Sequence, residues 1–164
     1  MAYWSAAQNN WTPTAVADTT NFTNAGYFAL QGGSSTQRLN VMDIYIGGLA
    51  SGSAPAQLII ARDSTVGATS LSGGTLAALD PSTAALAAPP VQFLTSTTKP
   101  QRSATLQLLT PGFNAYGGVV RLQLAPREEI GILGNTASFG ELSISHAAAG
   151  TPGLIACHMI FEPL

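Results

Sequence analysis

Two histidines and one cysteine are the side chains of this sequence best suited to nucleophilic attack, metal binding or titration near neutral pH. Two of them adjoin, as Cys157-His158, within the apolar stretch 153–161. Neighbours on a strand point to opposite faces, so this pair cannot hold one metal ion unless a bulge intervenes. Cys157 shares its face with Ile155 and Met159, which suits a buried, inert thiol. His146 continues the apolar side of the 142–144–146 alternation. Even beside His158 it falls short of the protein ligand set of a zinc site. There is no G-x-S-x-G elbow, and neither histidine sits in a triad context. The glycine-rich run 47–53 lacks the G-K-[ST] ending and following helix of a phosphate loop, and is expected to be a hairpin connection.

The acids offer little more. Glu128-Glu129 are sequence neighbours at a turn-to-strand boundary, so their carboxylates diverge rather than flank a glycosidic bond. Asp43 interrupts an apolar strand, either as an outward polar position or as the inward partner of an arginine. No D-x-D-x-D run marks a calcium loop. The sequons at Asn10 and Asn21 are taken as chance, because no secretory signal precedes them. The expectation is a chain that is not an enzyme, with no catalytic residue, cofactor or metal.

Composition bounds what such a chain does. Its 164 residues fit one domain, and only 9% of them are charged, against about 25% in an ordinary domain. Mean hydropathy is +0.24, yet no stretch approaches the ~20 apolar residues of a membrane-spanning helix, so no membrane partner is expected. The six basic residues, Arg38, Arg62, Lys99, Arg102, Arg121 and Arg127, are scattered. They leave no concentrated footprint for nucleic acid. A folded protein with so few surface charges is expected to hide much of its surface in subunit contacts.

The elements that must position these residues are strands. Short apolar runs lie at 26–31, 38–46, 56–62, 91–95, 103–109, 118–124, 129–133, 140–146 and 153–161. Three alternate with period two: Ala104, Leu106 and Leu108; Val120, Leu122 and Leu124 against Arg121 and Gln123; Leu142 and Ile144 against Glu141, Ser143 and Ser145. Gly32-Gly33, Gly47-Gly48, Pro111-Gly112, Gly117-Gly118, Gly134-Asn135 and Pro152-Gly153 separate the runs as turns. Eight or nine strands without helices between them predict an all-β, antiparallel β-sandwich, with a jelly roll preferred.

Two segments depart from the pattern. Residues 80–88 predict one short helix in a loop, with Asp80 as N-cap, Pro81 at its first position and Pro89-Pro90 as its stop. Residues 1–24 predict an irregular N-terminal arm ahead of a single domain at 25–164. Trp4 and Trp11 would be its anchors on a neighbouring subunit, and its deletion would leave the fold intact.

Several segments read together carry a family resemblance: FALQGGSSTQRLNV (28–41), ARDSTVGATSL (61–71), TTKPQRSATLQLL (97–109), FNAYGGVVRL (113–122), REEIGILGNTASFGELSIS (127–145) and FEPL (161–164). They resemble the small decoration, or cement, proteins of tailed-phage and prophage heads. The resemblance implies a homotrimeric sandwich subunit, made in the bacterial host cytoplasm and fixed to the exterior of the virion head. Its partner would be the major capsid protein, whose contacts it stiffens. Phage tail modules, carbohydrate-binding sandwiches and cupin-like metalloenzymes are the competing classes. Tyr27, Tyr45, Phe113 and Tyr116 are the aromatics available for sugar stacking.

Overall fold

A computed structural model describes residues 2–13, 27–67, 74–93, 100–135, 139–150 and 153–164. Over these the chain forms β1 (Trp4–Trp11), β2 (Phe28–Gln31), β3 (Arg38–Gly48), β4 (Pro55–Thr65), β5 (Gly74–Ala78) and β6 (Val91–Phe93). There follow β7 (Gln101–Leu109), β8 (Gly112–Asn114), β9 (Val119–Gln123), β10 (Ile130–Leu133), β11 (Glu141–Gly150) and β12 (Ile155–Pro163). Two antiparallel sheets pack face to face as a β-sandwich. Sheet A has the order β10-β3-β12-β1-β5 with β9 also on β3, and sheet B the order β6-β2-β11-β4-β7 with β8 also on β4.

The pairing is nested. β1 pairs with β12, β2 with β11, β3 with β10 and β9, and β4 with β7 and β8. The last two strands also join the halves of each sheet, through β12 with β3 and β11 with β4. Between the sheets lie Phe28, Leu30, Ile44, Leu58, Ile60, Ile144 and Phe161, all 0% exposed. Burying each such side chain contributes about 1.5–3 kcal/mol, so the inter-sheet layer dominates the fold's stability.

The N-terminal expectation is corrected by β1. Residues 4–11 are not an irregular arm but a strand held between β12 and β5. Trp4, Ala6 and Trp11 point into the core, with Trp4 7% and Trp11 4% exposed. Two features hide this alternation in the sequence. Ala6 and Ala7 look alike from either face, and a register break between Gln8 and Trp11, with Asn10 at φ 65°, inserts residues between the tryptophans. Removing residues 1–13 would take a strand and both indoles from the core. Residues 14–24 and the expected 24/25 boundary lie outside the described residues.

The expected helix at 80–88 is absent. Asp80 does cap: its Oδ1 accepts from the Ser82 backbone N–H at 2.9 Å and from the Ser82 hydroxyl at 2.7 Å. The Thr83 N–H reaches the Asp80 carbonyl at 3.0 Å, and the segment stops at that single turn. One hydrogen bond does not offset the cost of nucleating a helix, and Pro89-Pro90 leaves no length over which to recover it. β7 also departs from its expected phase. Register shifts against β4 leave Leu108 36% exposed and turn Leu109 onto the core instead. The Gly32 and Gly134 turns close as expected. Gly134 sits at φ 63°, and a Cβ on Gly32 would lie 2.6 Å from the Gly134 carbonyl oxygen.

Candidate functional site

Polar chemistry is gathered on the two outer faces of the sandwich. On sheet A, Ile44 and Ile46 of β3 enter the core, so Asp43 and Tyr45 point outward. Register gives Tyr45 two neighbours, Arg121 of β9 and His158 of β12. Arg121 donates from Nη2 to Asp43 Oδ2 at 2.7 Å and from Nε to the same oxygen at 3.1 Å. Its guanidinium carbon lies 4.8 Å from the Tyr45 ring centre. Tyr45 stacks on His158 at 4.4 Å with 23° between the planes. The Asp43 hydrogen bond holds Arg121 above its ordinary pKa. Burial lowers that of His158, with the Asp43 charge opposing. A neutral imidazole and a compensated carboxylate result.

Cys157 faces the other way, 3% exposed, and burial pushes its thiol far above the ordinary range while the Trp11 indole opposes. The pair Cys157-His158 is therefore split between core and surface, as its spacing implies.

On sheet B a polar row crosses four strands. Arg102 of β7 is opposite Asp63 of β4, and the register Arg62–Leu142 puts Asp63 next to Glu141 of β11, which is opposite Gln31 of β2. All four are buried, Asp63 and Glu141 completely. Asp63 Oδ1 accepts from the Ser143 hydroxyl at 2.8 Å, Glu141 Oε2 accepts from the Gly67 N–H at 2.7 Å, and Arg102 Nη1 donates to Ser145 Oγ at 2.9 Å. One oxygen of each acid, Asp63 Oδ2 and Glu141 Oε1, finds no donor while both are ionised. One proton carried by the two acids together would leave the row neutral against Arg102. Burial, the first cause in each case, raises Asp63 well above its ordinary value and brings Glu141 to about 7.

His146 lies on the core side of β11, 0% exposed, and burial lowers its pKa. Among the described residues, no three His, Cys, Asp or Glu side chains are grouped to hold a metal ion, and no helix is long and apolar enough to cross a membrane. The four aromatics considered for sugar stacking do not form one platform. Tyr27 is 1% exposed, Tyr45 is covered by Arg121 and His158, Phe113 lies in β8, and Tyr116 lies in the connection from β8 to β9, which crosses between the sheets.

What the sequence did not disclose is where the exposed apolar side chains gather. One end of the sandwich is tied by Gly48 N–H to the Gly118 carbonyl, Leu49 to Leu154 and Ala50 to Ala115. It presents Leu49, Tyr116 and Val119, the last 76% exposed. The opposite end is tied by Leu79 N–H to the Tyr3 carbonyl, Leu133 to Phe139 and Leu164 to Arg38. It presents Tyr3, Leu79, Leu133, Phe139 and Leu164. Among the described residues every exposed large hydrophobic except Leu108 lies at one of these ends. A signal was available: Leu49, Tyr116 and Leu133 each adjoin a turn glycine or alanine, where an apolar side chain has no core to enter.

Compared with known proteins, the chain has no significant match to any family model, curated protein or solved structure.

Proposed function

We propose that this chain is a virion structural protein, a decoration or cement protein that binds the exterior of a tailed-phage head and stiffens contacts between major capsid proteins. The observation that carries the reading is the apolar pair of ends. A chain with 9% charged residues concentrates its exposed hydrophobics at opposite poles. Such patches mark surfaces that a partner covers. A rigid sandwich with an adhesive pole at each end joins two things, which is what a cement does. We place one pole against the shell and the other at the axis of a homotrimer, since closed rotational symmetry is the usual way for copies to bury one patch each. We infer further that the sandwich is wound as a jelly roll. The nested pairing, with β12 and β11 inserted between earlier strands, is that of one long two-stranded ladder rolled up.

The experiment is mass spectrometry and electron microscopy of purified virions from a phage or prophage that carries this chain. The expected result is the chain at a fixed ratio to the major capsid protein on the head exterior. Recovery only in tail fractions would favour the tail-module reading, and absence from particles would overturn both. In reconstitution on undecorated shells, Leu79→Asp should lower occupancy at least tenfold while leaving thermal unfolding unchanged.

A further inference from the structure

Beside Leu133 and Phe139, at the β10 edge of sheet A, lies a concavity of about 470 Å³. Arg62 enters it from β4 on the core side of sheet B, and its Nη1 donates to the Gly131 carbonyl of β10. Arg38 reaches it from the outer face of β3, opposite Leu133, with its Nε donating to Asn40 Oδ1 at 3.1 Å. Leu106, Leu133 and Phe139 form apolar walls, and Glu129 stands at the same opening. Neither guanidinium forms an ion pair with Glu129 or with another described carboxylate; the Arg121–Asp43 pair is a separate one on sheet A. Two of the chain's six basic residues thus line one concavity, with Glu129 as the single acid among its lining residues. Burial and the Arg38 charge together lower the Arg62 pKa, the mark of a cation lacking compensation.

We propose that this concavity is a recognition site for an extended peptide segment of the shell protein that presents a carboxylate between apolar side chains. The inference rests on the reading of the chain as a shell-binding protein and names the chemistry that one pole recognises. Charge complementarity selects the occupant. A carboxylate accepts from both guanidiniums in the paired geometry that arginine favours. The flanking apolar side chains cover Leu133, 51% exposed, and Phe139, 39% exposed. Glu129 leaves a net charge of one to be met, so a segment with one acid fits better than an acidic run.

The site is tested with the blocked tripeptide acetyl-Leu-Glu-Leu-amide and its Gln twin, titrated into the full chain and followed by amide chemical shifts. Saturable shifts confined to Gly131, Leu133, Phe139 and Leu106 are expected, with the Gln twin binding at least tenfold more weakly. Arg38→Gln should weaken the Glu peptide tenfold, and Leu133→Asp should abolish binding; both positions are exposed, so the fold should persist. Equal binding of the two peptides, or shifts that do not saturate, would overturn the proposal. So would dimerisation of the chain that Arg38→Gln abolishes, since a second copy would then be the occupant. The titration uses no virion, so its failure leaves the head assignment standing. A positive titration with a chain absent from heads would instead remove the shell protein as the source.

Discussion

Asp43 and Asp63 occupy equivalent situations in sequence. Each lies on a long strand, and each points to the outer face of its sheet. Their fates differ because the two outer faces differ. Asp43 meets Arg121, whose side chain is 49% exposed, and Tyr45 and His158 cover the pair only in part. Asp63 is 0% exposed, set between Arg102 and Glu141, and the backbone beyond β4 returns so that Gly67 donates to Glu141. Water reaches the first pair through Arg121, although Asp43 itself is 6% exposed, and is excluded from the second. An ion pair of the first kind contributes little to stability, whereas a charge of the second kind must be matched in full. Position on a strand sets direction; what covers the sheet sets energetics.

The largest test of that contrast removes the cation from each face in turn. Arg102 is 2% exposed and bonds Ser145. Arg102→Met leaves the acid pair with an uncompensated negative charge and should cost about 3–5 kcal/mol, read by urea denaturation. Arg121→Met, its counterpart on sheet A, removes a half-exposed cation from the 6%-exposed Asp43 and should cost less, about 1 kcal/mol. A large loss from the second substitution would show that the sheet A face is covered after all.

Next in size is the pH dependence that the buried row imposes. Glu141 is held at about 7, above its unfolded value, so the folded chain keeps a proton that the unfolded chain releases. Stability from this group is fully present below about pH 4 and is lost as pH rises through about 7. Glu141→Gln reproduces the protonated acid. Its amide N–H₂ can donate to Asp63 Oδ2, and its carbonyl still accepts from Gly67. The variant should flatten the decline across that window and exceed the parent above neutrality by on the order of a few kcal/mol. Denaturation midpoints that stay pH-independent in the parent would remove the shared proton.

How much of this was legible depended on whether a residue's surroundings were local. The all-β class and the opposed faces of Cys157 and His158 follow from a period of two, which is written along one strand. Val120, Leu122 and Leu124 pack inward as their alternation requires, with Arg121 and Gln123 exposed. Trp4 and Trp11 were misread because alanines and a bulge erase the period between them, and a tryptophan in a polar run resembles an anchor. β5 and β8 escaped because Gly74–Ala78 and Gly112–Asn114 are short and gain their strand character from the partner beside them. The acid pair was not legible at all. Glu141, Ser143 and Ser145 alternate as a solvent face would, and only tertiary structure shows that this face is buried. Their small hydroxyls beside an acid were the one local hint, since serine can donate to a carboxylate in a space too small for water.

The smallest effect is expected at His158, and it separates the faces by sign. Burial lowers its pKa while the Asp43 carboxylate pulls it back up. Asp43→Asn removes the upward pull and leaves Arg121 without its counter-charge, so the His158 ring should titrate lower still. Proton shifts of the imidazole across pH report this directly, with stability nearly unchanged. Asp63→Asn on sheet B should act in the opposite manner. The asparagine can accept from Ser143 and donate to Glu141 Oε1, so it removes a charge set beside a second buried acid instead of one paired with an exposed cation. Stability should then rise above neutrality with no change at His158. Both substitutions delete one negative charge from the outside of a strand; the one set beside a second buried acid should register more strongly in the unfolding curve.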